Sequence, residues 1–505
     1  MSRKPLIRNQ PSRRNRWGRP LAFLAALLFF AILGRPLTHL AWTALNDGGI
    51  LKSVPTGYAD DASRMNQTAV TGTWDIPQDP AMAEQQLQNL VQRAGHTHLK
   101  ISIAGARHSM GGHTIYPGGI VLNMLPFHRM SLDEDKSILT VGSGARWSEI
   151  IPYLQVRGYS VAVMQSNNPF TVGGSLSVNC HGWQPLHAPI ASTVESFRLM
   201  KADGTIVNCS RTDNRELFSL VLGGYGLFGV ILDAQLKVVR DEVYRVERFI
   251  VPVEKYAATF EEKVAQRPDA GLVYGRLCPA PNQFLKEAIL TVYYKVPGKK
   301  PTPYSPEPSF TWLKRLIFRG SIGSDYGKFL RWKLEKDFGE QLGESEETRN
   351  QVLNDGIEVF ENRSEESTDI LHEYFVPKEK LAEFIDRVRT IVPAHQADLL
   401  NLTIRDLKKD EDTFLSYADR DLFSLVLLFH TERSDKADQK MEALTQELIQ
   451  AALHLGGRYY LPYRLHATQD QLKEAYPQSG RFFQLKRKYD PNQVFQNEFY
   501  VKYGL

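Results

Sequence analysis

The chain has 505 residues, of which 42% are hydrophobic and 23% are charged, so it can bury the cores of several domains. Its cysteines, Cys180, Cys209 and Cys278, are far apart and show none of the close spacings of a zinc site or a disulfide framework, so we expect no metal. The net charge of +4 is uneven: residues 1–19 carry +7 and the remainder carries −3. A slightly acidic body argues against a nucleic-acid partner.

The N-terminal region predicts attachment to a membrane. A basic tail, residues 1–17, precedes two apolar stretches that together occupy residues 18–45 and are separated by Arg35. This length suits a single span with the tail in the cytoplasm and the body on the extracytoplasmic side. The alternative is a cleaved signal peptide and an exported soluble protein, and Ser12-Arg13-Arg14 weakly resembles a twin-arginine export signal.

Residues 46–78 are rich in Gly, Ser, Thr, Asp and Pro, which predicts a linker. Beyond it, hydrophobic spacing predicts short helix and strand units throughout residues 79–240. The predicted helices are 82–94 and 147–157, and the predicted strands are 98–104, 120–124, 137–141, 160–164, 194–200 and 230–239. This order favours an α+β domain over one doubly wound sheet.

Residues 241–455 predict a second domain with longer elements. Its clearest strands are 288–294 and 423–429, and its clearest helices are 378–391 and 437–455. The part between residues 297 and 365 is rich in Pro, aromatic and charged residues and contains possible amphipathic helices. These helices either cover the site or lie on a membrane, or they form a pair that packs on its own domain.

Two turns rich in small residues carry the main functional signal. They are Ile103–Gly112 and Thr171–Gly182, and both follow strand-like runs. Closely spaced Gly, Ala and Ser let backbone N–H groups approach an anion, and two such turns suit the pyrophosphate of a dinucleotide. No Gly-x-Gly-x-x-Gly turn with a following acid is present, so a nicotinamide site is poorly supported.

Together with Leu199–Val207 and Leu222–Ile231, these turns resemble the vanillyl-alcohol-oxidase superfamily, also called the PCMH-type FAD-binding fold. The resemblance implies a two-subdomain FAD-binding domain at residues 79–240. It also implies a substrate (cap) domain with an antiparallel sheet at 241–455, and a C-terminal segment, 456–505, that closes on the FAD domain.

The resemblance implies FAD as the cofactor. His108 stands where relatives carry a histidine bonded to the flavin 8α-methyl carbon, so a covalent link is implied; a hydrogen-bonding turn residue is the alternative. The implied cofactor-binding residues are Ala104, Gly105, Ala106, Arg107, His108, Ser109, Ser166, Thr171, Gly173, Gly174, Ser177, His181, Gly182, Val230 and Ile231. Cys180, which adjoins this set, is assigned a role in the core.

Within the superfamily, four later motifs are similar to those of sugar, alditol and aldonolactone oxidases and of decaprenylphosphoryl-ribose oxidase. They are His372–Pro377, Leu400–Leu402, Gly456–Tyr460 and Lys488–Phe495. The decaprenylphosphoryl-ribose enzyme lacks the flavin-linked histidine and has a lysine where Tyr463 falls here. The substrate and the electron acceptor therefore do not carry over.

Oxidation of an alcohol by a flavin needs a polar group that accepts or orients the hydroxyl proton while hydride passes to flavin N5. The candidates are Tyr460, Arg464, His466, Glu373 and Asn401. Arg464 is the first choice to stabilise negative charge at flavin N1 and the C2 carbonyl. Structural alternatives are a buried strand end for Tyr460, a cation partner for Glu373 and a helix cap for His466.

The sequence therefore predicts a membrane-anchored, FAD-dependent oxidoreductase that acts on a CH–OH group of a polyol, aldonolactone, sugar or lipid-linked sugar. Oxygen or another acceptor reoxidises the flavin, so oxidase and dehydrogenase are both open. One alternative is a dehydrogenase or desaturase of a lipid or isoprenoid-like substrate. A remote alternative is a non-catalytic envelope binding protein.

Overall fold

A computed structural model of the protein describes residues 34–49, 51–301, 311–337 and 346–505. The predicted basic tail, 1–17, and residues 18–33 of the predicted anchor lie outside these ranges. Residues 34–46 form the first described helix, α1. Within the described ranges, no helix has both the length and the apolar character that a membrane crossing requires.

The first domain mixes a parallel and an antiparallel sheet. Its strands are β1 (Tyr58–Ala59), β2 (Thr68–Ala69), β3 (Gly72–Asp75), β4 (Ile101–Ala104), β5 (Ile120–Asn123), β6 (Met130–Asp133), β7 (Ile138–Gly142), β8 (Tyr159–Val161), β9 (Val194–Met200), β10 (Ile206–Ser210) and β11 (Val230–Arg240). Its helices are α2 (Pro80–Thr97), α3 (Trp147–Gln155), α4 (Val172–Val178) and α5 (Arg215–Val221). The parallel sheet has the order β3-β5-β4, and the antiparallel sheet has the order β10-β9-β11-β7-β6, with β8 also paired to β11.

Helix α2 shows how local sequence positions the first turn. Asp79 caps the helix by accepting the Met82 N–H at 3.0 Å, and proline occupies the first helical position. Leu87 and Val91, four residues apart, are fully buried against the parallel sheet. Strand β4 follows directly and ends at the first glycine-containing turn.

The segment 46–78 is not the linker that its composition predicts. It carries β1, β2 and β3, and β3 pairs in parallel with β5. Ala59 and Val70 are buried with residues of β4 and β5. Composition misled here because very short strands need few apolar residues when a neighbouring sheet supplies the pairing.

The second domain is built on one large antiparallel sheet. Its strands are β12 (Val243–Pro252), β13 (Ala270–Leu277), β14 (Glu287–Lys295), β15 (Glu346–Thr348), β16 (Ser367–Pro377), β17 (Asp398–Leu407), β18 (Leu422–Glu432) and β19 (Arg458–Tyr459). Its helices are α6 (Tyr256–Phe260), α7 (Thr311–Arg319), α8 (Asp325–Asp337), α9 (Arg349–Leu353), α10 (Leu381–Ala394) and α11 (Asp435–Leu453). Among the described strands the order is β15-β12-β14-β13-β17-β18-β16-β19.

Helices α7 and α8 belong to the aromatic and charged part of this domain. Arg331 of α8 donates to the Leu400 carbonyl at 2.8 Å and to Asn401 Oδ1 at 2.8 Å, both on β17. Trp332 is buried beside Ile289 of β14 and Cys278, which directly follows β13. The pair therefore packs on its own domain, which was one of the two predicted arrangements.

The C-terminal segment returns to the first domain through α12 (Gln469–Ala475), α13 (Ser479–Tyr489) and α14 (Glu498–Tyr503). Between α13 and α14, Phe495 forms a parallel bridge with Ile101 at the edge of β4. The Ile101 N–H donates to the Val494 carbonyl at 2.8 Å, and the Gln496 N–H donates to the Ile101 carbonyl at 3.0 Å. The far end of the chain thus completes the sheet that carries the first turn.

Candidate active site

A cavity of about 690 Å³ lies between the two domains. Both glycine-containing turns line it, together with side chains of β16, β17 and the loop after β19. This volume falls within the range of about 300–1,000 Å³ that is usual for ligand sites. The cavity is therefore the place to test the predicted site residues.

The first turn is locked against the second. A Cβ added to Gly105 would lie 2.1 Å from Thr171 Oγ1, so only glycine fits. Arg107 adopts a left-handed backbone with φ of 56°. Within the described structure, the backbone N–H groups of residues 105–109 donate to no protein acceptor. A run of free amides at a cavity wall suits a pyrophosphate.

The second turn is fixed by a helix cap and by close packing on Ser143. Thr171 caps α4 by accepting the Gly174 N–H at 3.3 Å, and a Cβ on Gly173 would lie 2.8 Å from that of Ser143. The hydroxyls of Ser109 and Ser143 are buried and have no partner among the described residues. Both residues line the cavity. Unpaired donors beside free amides fit a polar dinucleotide such as FAD, since buried polar groups are normally hydrogen-bonded.

Three predicted cofactor residues do not line this cavity. Ala104 and Val230 are fully buried in the core, and Gly182 packs so closely on the Met164 carbonyl that a Cβ would lie 1.9 Å from its oxygen. Their neighbours Gly105, Ile231 and His181 do line the cavity. Ala104, Gly182 and Val230 therefore lie behind the residues that line the cavity.

His108 lies on the cavity wall with its ring stacked on Phe170, 4.1 Å between centroids. Burial lowers the pKa of His108 to about 4, and the positive charge of Arg146 adds to this effect. The imidazole is therefore neutral at pH 7 and keeps an unprotonated ring nitrogen.

Glu373 of β16 is the centre of a buried polar cluster. Its Oε1 contacts His181 Nε2 at 2.5 Å and accepts the Ser424 hydroxyl at 2.5 Å. Burial alone would raise the pKa of Glu373, but the nearby charges and hydrogen bonds of His181, Arg405 and Ser424 outweigh it and lower the pKa below its ordinary value. Glu373 is therefore an ionised carboxylate.

Tyr463 connects this carboxylate to the cavity. Its hydroxyl donates to Glu373 Oε2 at 3.0 Å, and its side chain lines the cavity wall. Burial and the negative charge of Glu373 raise the pKa of Tyr463 well above its ordinary value. The phenol thus stays protonated and is hydrogen-bonded to a base.

Arg405 is a cavity residue that the sequence analysis missed. Its Nη2 donates to Ser166 Oγ at 2.9 Å, and its buried Nε has no partner in the described part of the chain. Asn401, Thr403 and Arg405 alternate along β17 and share one face. This period-two pattern, starting from the predicted Asn401, was the signal that would have found it.

Two predicted catalytic residues lie elsewhere. Arg464 donates to Asp438 Oδ2 at 2.5 Å and to Asn66 Oδ1 at 2.7 Å, and His466 Nε2 contacts Asp438 Oδ1 at 3.0 Å. Neither residue lines the cavity. The structure does not bring these two side chains to the cavity, because the chain leaves the cavity wall after Tyr463 and Asp438 of α11 binds both of them.

The other candidates do reach the cavity. Tyr460 lines it, but its hydroxyl already donates to the Val178 carbonyl at 2.8 Å. Asn401 lines it and is oriented by Arg331. Cys180 also lies on the wall, where burial raises the pKa of its thiol to about 12 and keeps it protonated.

Comparisons with known proteins cover both domains. Residues 81–210 match the family described as FAD binding domain, and residues 312–503 match the family described as D-arabinono-1,4-lactone oxidase. L-gulonolactone oxidase of Mus musculus is 22% identical over 428 residues, which are 83% of this chain and 92% of the mouse protein.

Two further relatives match over shorter regions. An FAD-dependent monooxygenase of Arthrobotrys oligospora is 27% identical over 247 residues, so the chain spans about half of that protein, 47%. Cytokinin dehydrogenase 2 of Arabidopsis thaliana is 31% identical over 153 residues, 30% of each chain. With two interlocked turns suited to FAD and matches in both domains, the chain belongs to the PCMH-type family of FAD-dependent oxidases, a family of oxidoreductases with aldonolactone oxidases among its members.

Proposed function

We propose that the protein oxidises a CH–OH group of an aldonolactone or of a related sugar or polyol and passes the electrons to oxygen or another acceptor. The observation that carries this proposal is a cavity lined both by the two FAD-type turns and by the hydrogen-bonded pair Tyr463–Glu373. The lactone is supported by the match to the D-arabinono-1,4-lactone oxidase family and by the similarity to L-gulonolactone oxidase over most of its length.

The chain's own residues would manage the proton. FAD, when bound, accepts a hydride from the substrate carbon. Tyr463 takes the proton of the substrate hydroxyl as its own phenolic proton passes to Glu373 Oε2, 3.0 Å away. Glu373 then carries the proton beside His181. The guanidinium of Arg405, on the same cavity wall, stabilises negative charge that develops nearby.

We also propose His108 as the residue that holds FAD covalently. Its position in the first turn, its place on the cavity wall and its neutral ring support this role. A neutral nitrogen has the free electron pair that bond formation requires. The stacking contact with Phe170 fixes the plane of the ring.

A second candidate substrate class has support from the apolar residues of the cavity lining. They are Leu51, Val54, Ile357, Phe360, Leu371 and Leu428. A cavity lined by both polar and apolar side chains favours a sugar that carries a lipid chain, and it also suits dehydrogenation of a lipid. The lactone and the lipid-linked sugar share the same reacting group.

The test is the visible spectrum of the purified full-length chain before and after acid precipitation, with His108→Ala alongside. Yellow colour that stays with the parent precipitate and leaves that of the variant supports covalent FAD at His108. Anaerobic addition of L-gulonolactone, D-arabinono-1,4-lactone or a polyol should then bleach the flavin, and admission of air reports whether oxygen restores the colour. A protein that stays colourless after reconstitution with FAD contradicts the enzymatic proposal and favours a binding protein.

A further inference from the structure

Helix α1, residues 34–46, has its polar side turned inward. Arg35 lies over the Tyr326 ring at 3.9 Å, His39 Nε2 contacts the Gly320 carbonyl at 2.8 Å, and Thr43 is buried. These residues recur every four positions, so they form one face of the helix. That face rests on α7 and α8.

The opposite face of α1 is exposed and is apolar except for Thr38, whose hydroxyl donates to the Gly34 carbonyl at 2.8 Å. Leu37, Trp42 and Leu45 are 54%, 67% and 82% exposed, and Ala41 and Ala44 between them are exposed as well. A helix on the surface of a water-soluble domain normally has the reverse arrangement. An exposed apolar face of this kind indicates a contact with a membrane or with another protein.

The helix is firmly held in this orientation. Asp47, just after α1, accepts from Arg315 Nε at 2.7 Å and from Nη2 at 2.9 Å, in a buried bidentate ion pair. His39 fits so closely that a Cβ on Gly327 would lie 2.8 Å from its Nε2. The exposed face is therefore a fixed surface of the domain.

Two exposed aromatic residues lie on the helices that hold α1. Trp312 of α7 is 63% exposed and lies three residues before Arg315, the partner of Asp47. Phe329 of α8 is 44% exposed and lies three residues after Tyr326, the partner of Arg35. Each aromatic side chain thus stands one helical turn from a residue that anchors α1.

We propose that this surface, the outer face of α1 together with Trp312 and Phe329, lies against a lipid bilayer. The argument for lipid as the occupant comes from the preceding chain: residues 21–33 are all apolar and lead directly into α1. A run of apolar residues partitions into a bilayer, and α1 follows this run directly in the sequence, so α1 begins close to the bilayer surface. Tryptophan is the side chain that membrane interfaces favour.

The residues that hold α1 also contact segments of the cavity lining. Arg315, which binds Asp47, also donates to the carbonyls of Glu358 and Glu361 at 2.9 and 2.6 Å. Ile357, Phe360 and Glu361 of that loop line the cavity, as do Leu51 and Val54, which follow α1 in the chain. The proposed bilayer surface and the cavity therefore lie next to the same loop.

The test uses single cysteines in the full-length chain, because the three native cysteines are buried. Leu45→Cys and the control Val156→Cys place a nitrobenzoxadiazole label at apolar positions that are 82% and 81% exposed. Each labelled protein is reconstituted into vesicles of phosphatidylcholine and phosphatidylglycerol with or without nitroxide-labelled lipid. Retention of flavin shows that each variant has folded.

The label at position 45 should be quenched by nitroxide lipid and several-fold less by aqueous iodide than the label at position 156. The label at position 156 should show the reverse. Equal iodide quenching at both positions without lipid quenching at 45 overturns the proposal. Shielding from both quenchers at 45 also overturns it, because it identifies a second protein chain as the occupant.

Discussion

At the scale of single residues, Glu373 is the side chain on which the proposed chemistry depends most. Its carboxylate is almost inaccessible to solvent, and its contacts with His181, Ser424 and Tyr463 all favour the ionised form. A buried base with a fixed partner needs no rearrangement to accept a proton. Its removal should therefore affect the reaction more than the fold.

Glu373→Gln should keep the flavin but slow its anaerobic bleaching by substrate by about 10²–10⁴-fold, since the amide cannot accept the proton passed on by Tyr463. Stopped-flow absorbance at the flavin band measures the rate. The matched control is Glu366→Gln, an exposed position beside the start of β16. Bleaching at the parental rate in Glu373→Gln would assign the base to another group.

The bleaching rate should be independent of pH from about 5 to about 9. The pKa of Glu373 lies below its ordinary value, so the carboxylate persists until the solution is more acidic than this range. The pKa of Tyr463 lies well above its ordinary value, so the phenol stays protonated at the alkaline end. A midpoint near pH 6.5 in the pH–rate profile would point to a histidine as the base.

Residue types and order predicted much of the site, but not which side chains after β19 face inward. Tyr460 and Tyr463 line the cavity, whereas Arg464 and His466 are drawn to Asp438 on α11. That pairing joins residues of a loop and a helix that are adjacent only in the folded domain. No local pattern in the loop sequence distinguishes the two outcomes.

At the scale of elements, the interlocking of the two turns gives a sharp test. Gly105→Ala should lower the ratio of bound flavin to protein severalfold, because its Cβ would lie 2.1 Å from Thr171 Oγ1 and the turn must move. The control is Gly72→Ala in β3, where a Cβ meets nothing within 4 Å. The ratio of flavin to protein is measured from the absorbance of the purified proteins. Equal flavin content in both variants would show that the contact between Gly105 and Thr171 is not needed for flavin binding.

The connection between β11 and β12 contains a buried carboxyl whose ionisation is unfavourable. Burial raises the pKa of Asp241 to about 6, and within the described structure its Oδ2 has no partner. Between about pH 4 and 6 the unfolded chain releases this proton and the folded chain retains it, so stability falls as the pH rises through this window. Above pH 6 the folded state carries a buried charge.

Asp241→Asn should therefore stabilise the protein at pH 7 by up to about 3 kcal/mol and have little effect at pH 4. Asparagine keeps the Oδ1 acceptor that binds the Asn350 N–H. Thermal unfolding of both proteins at several pH values measures the difference, with exposed Asp135→Asn as the control. A difference that does not grow with pH would contradict the assignment.

Periodicity predicted the long elements well. The predicted helix at 82–94 lies inside α2, and the strand at 194–200 agrees with β9. The short strands between residues 46 and 78 escaped prediction because two to four residues carry no measurable period. Their pairing depends on β5, which lies far along the chain.

At the scale of the whole molecule, the two ends of the body are held together by a few buried polar contacts. Asn497 donates from Nδ2 to the carbonyls of His113 and Tyr225 at 3.0 and 2.8 Å, and its Oδ1 accepts the Tyr500 N–H at 3.0 Å. His113 and Tyr225 both line the cavity. The C-terminal segment therefore supports the cavity wall.

Asn497→Ala should lower the free energy of unfolding by about 1–3 kcal/mol, because two buried carbonyl oxygens lose their donor. It should also weaken flavin retention, since the wall residues are no longer held. Denaturant unfolding and flavin release on dilution are the measurements. The control is Asn492→Ala, the same substitution at an exposed position nearby, which should change neither the free energy of unfolding nor flavin retention. An equal loss in the two variants would contradict the role of Asn497 in holding the C-terminal segment on the cavity wall.

The parallel bridge between Ile101 and Phe495 has a consequence for biosynthesis. A ribosome makes β4 long before residues 494–496, so the edge of β4 stays unpaired while the whole second domain is being made. N-terminal domains usually fold first as they emerge. Here the first domain completes its parallel sheet only after residue 496 has emerged, and termination upstream of residue 494 removes a strand partner of the sheet whose glycine turn has already been translated.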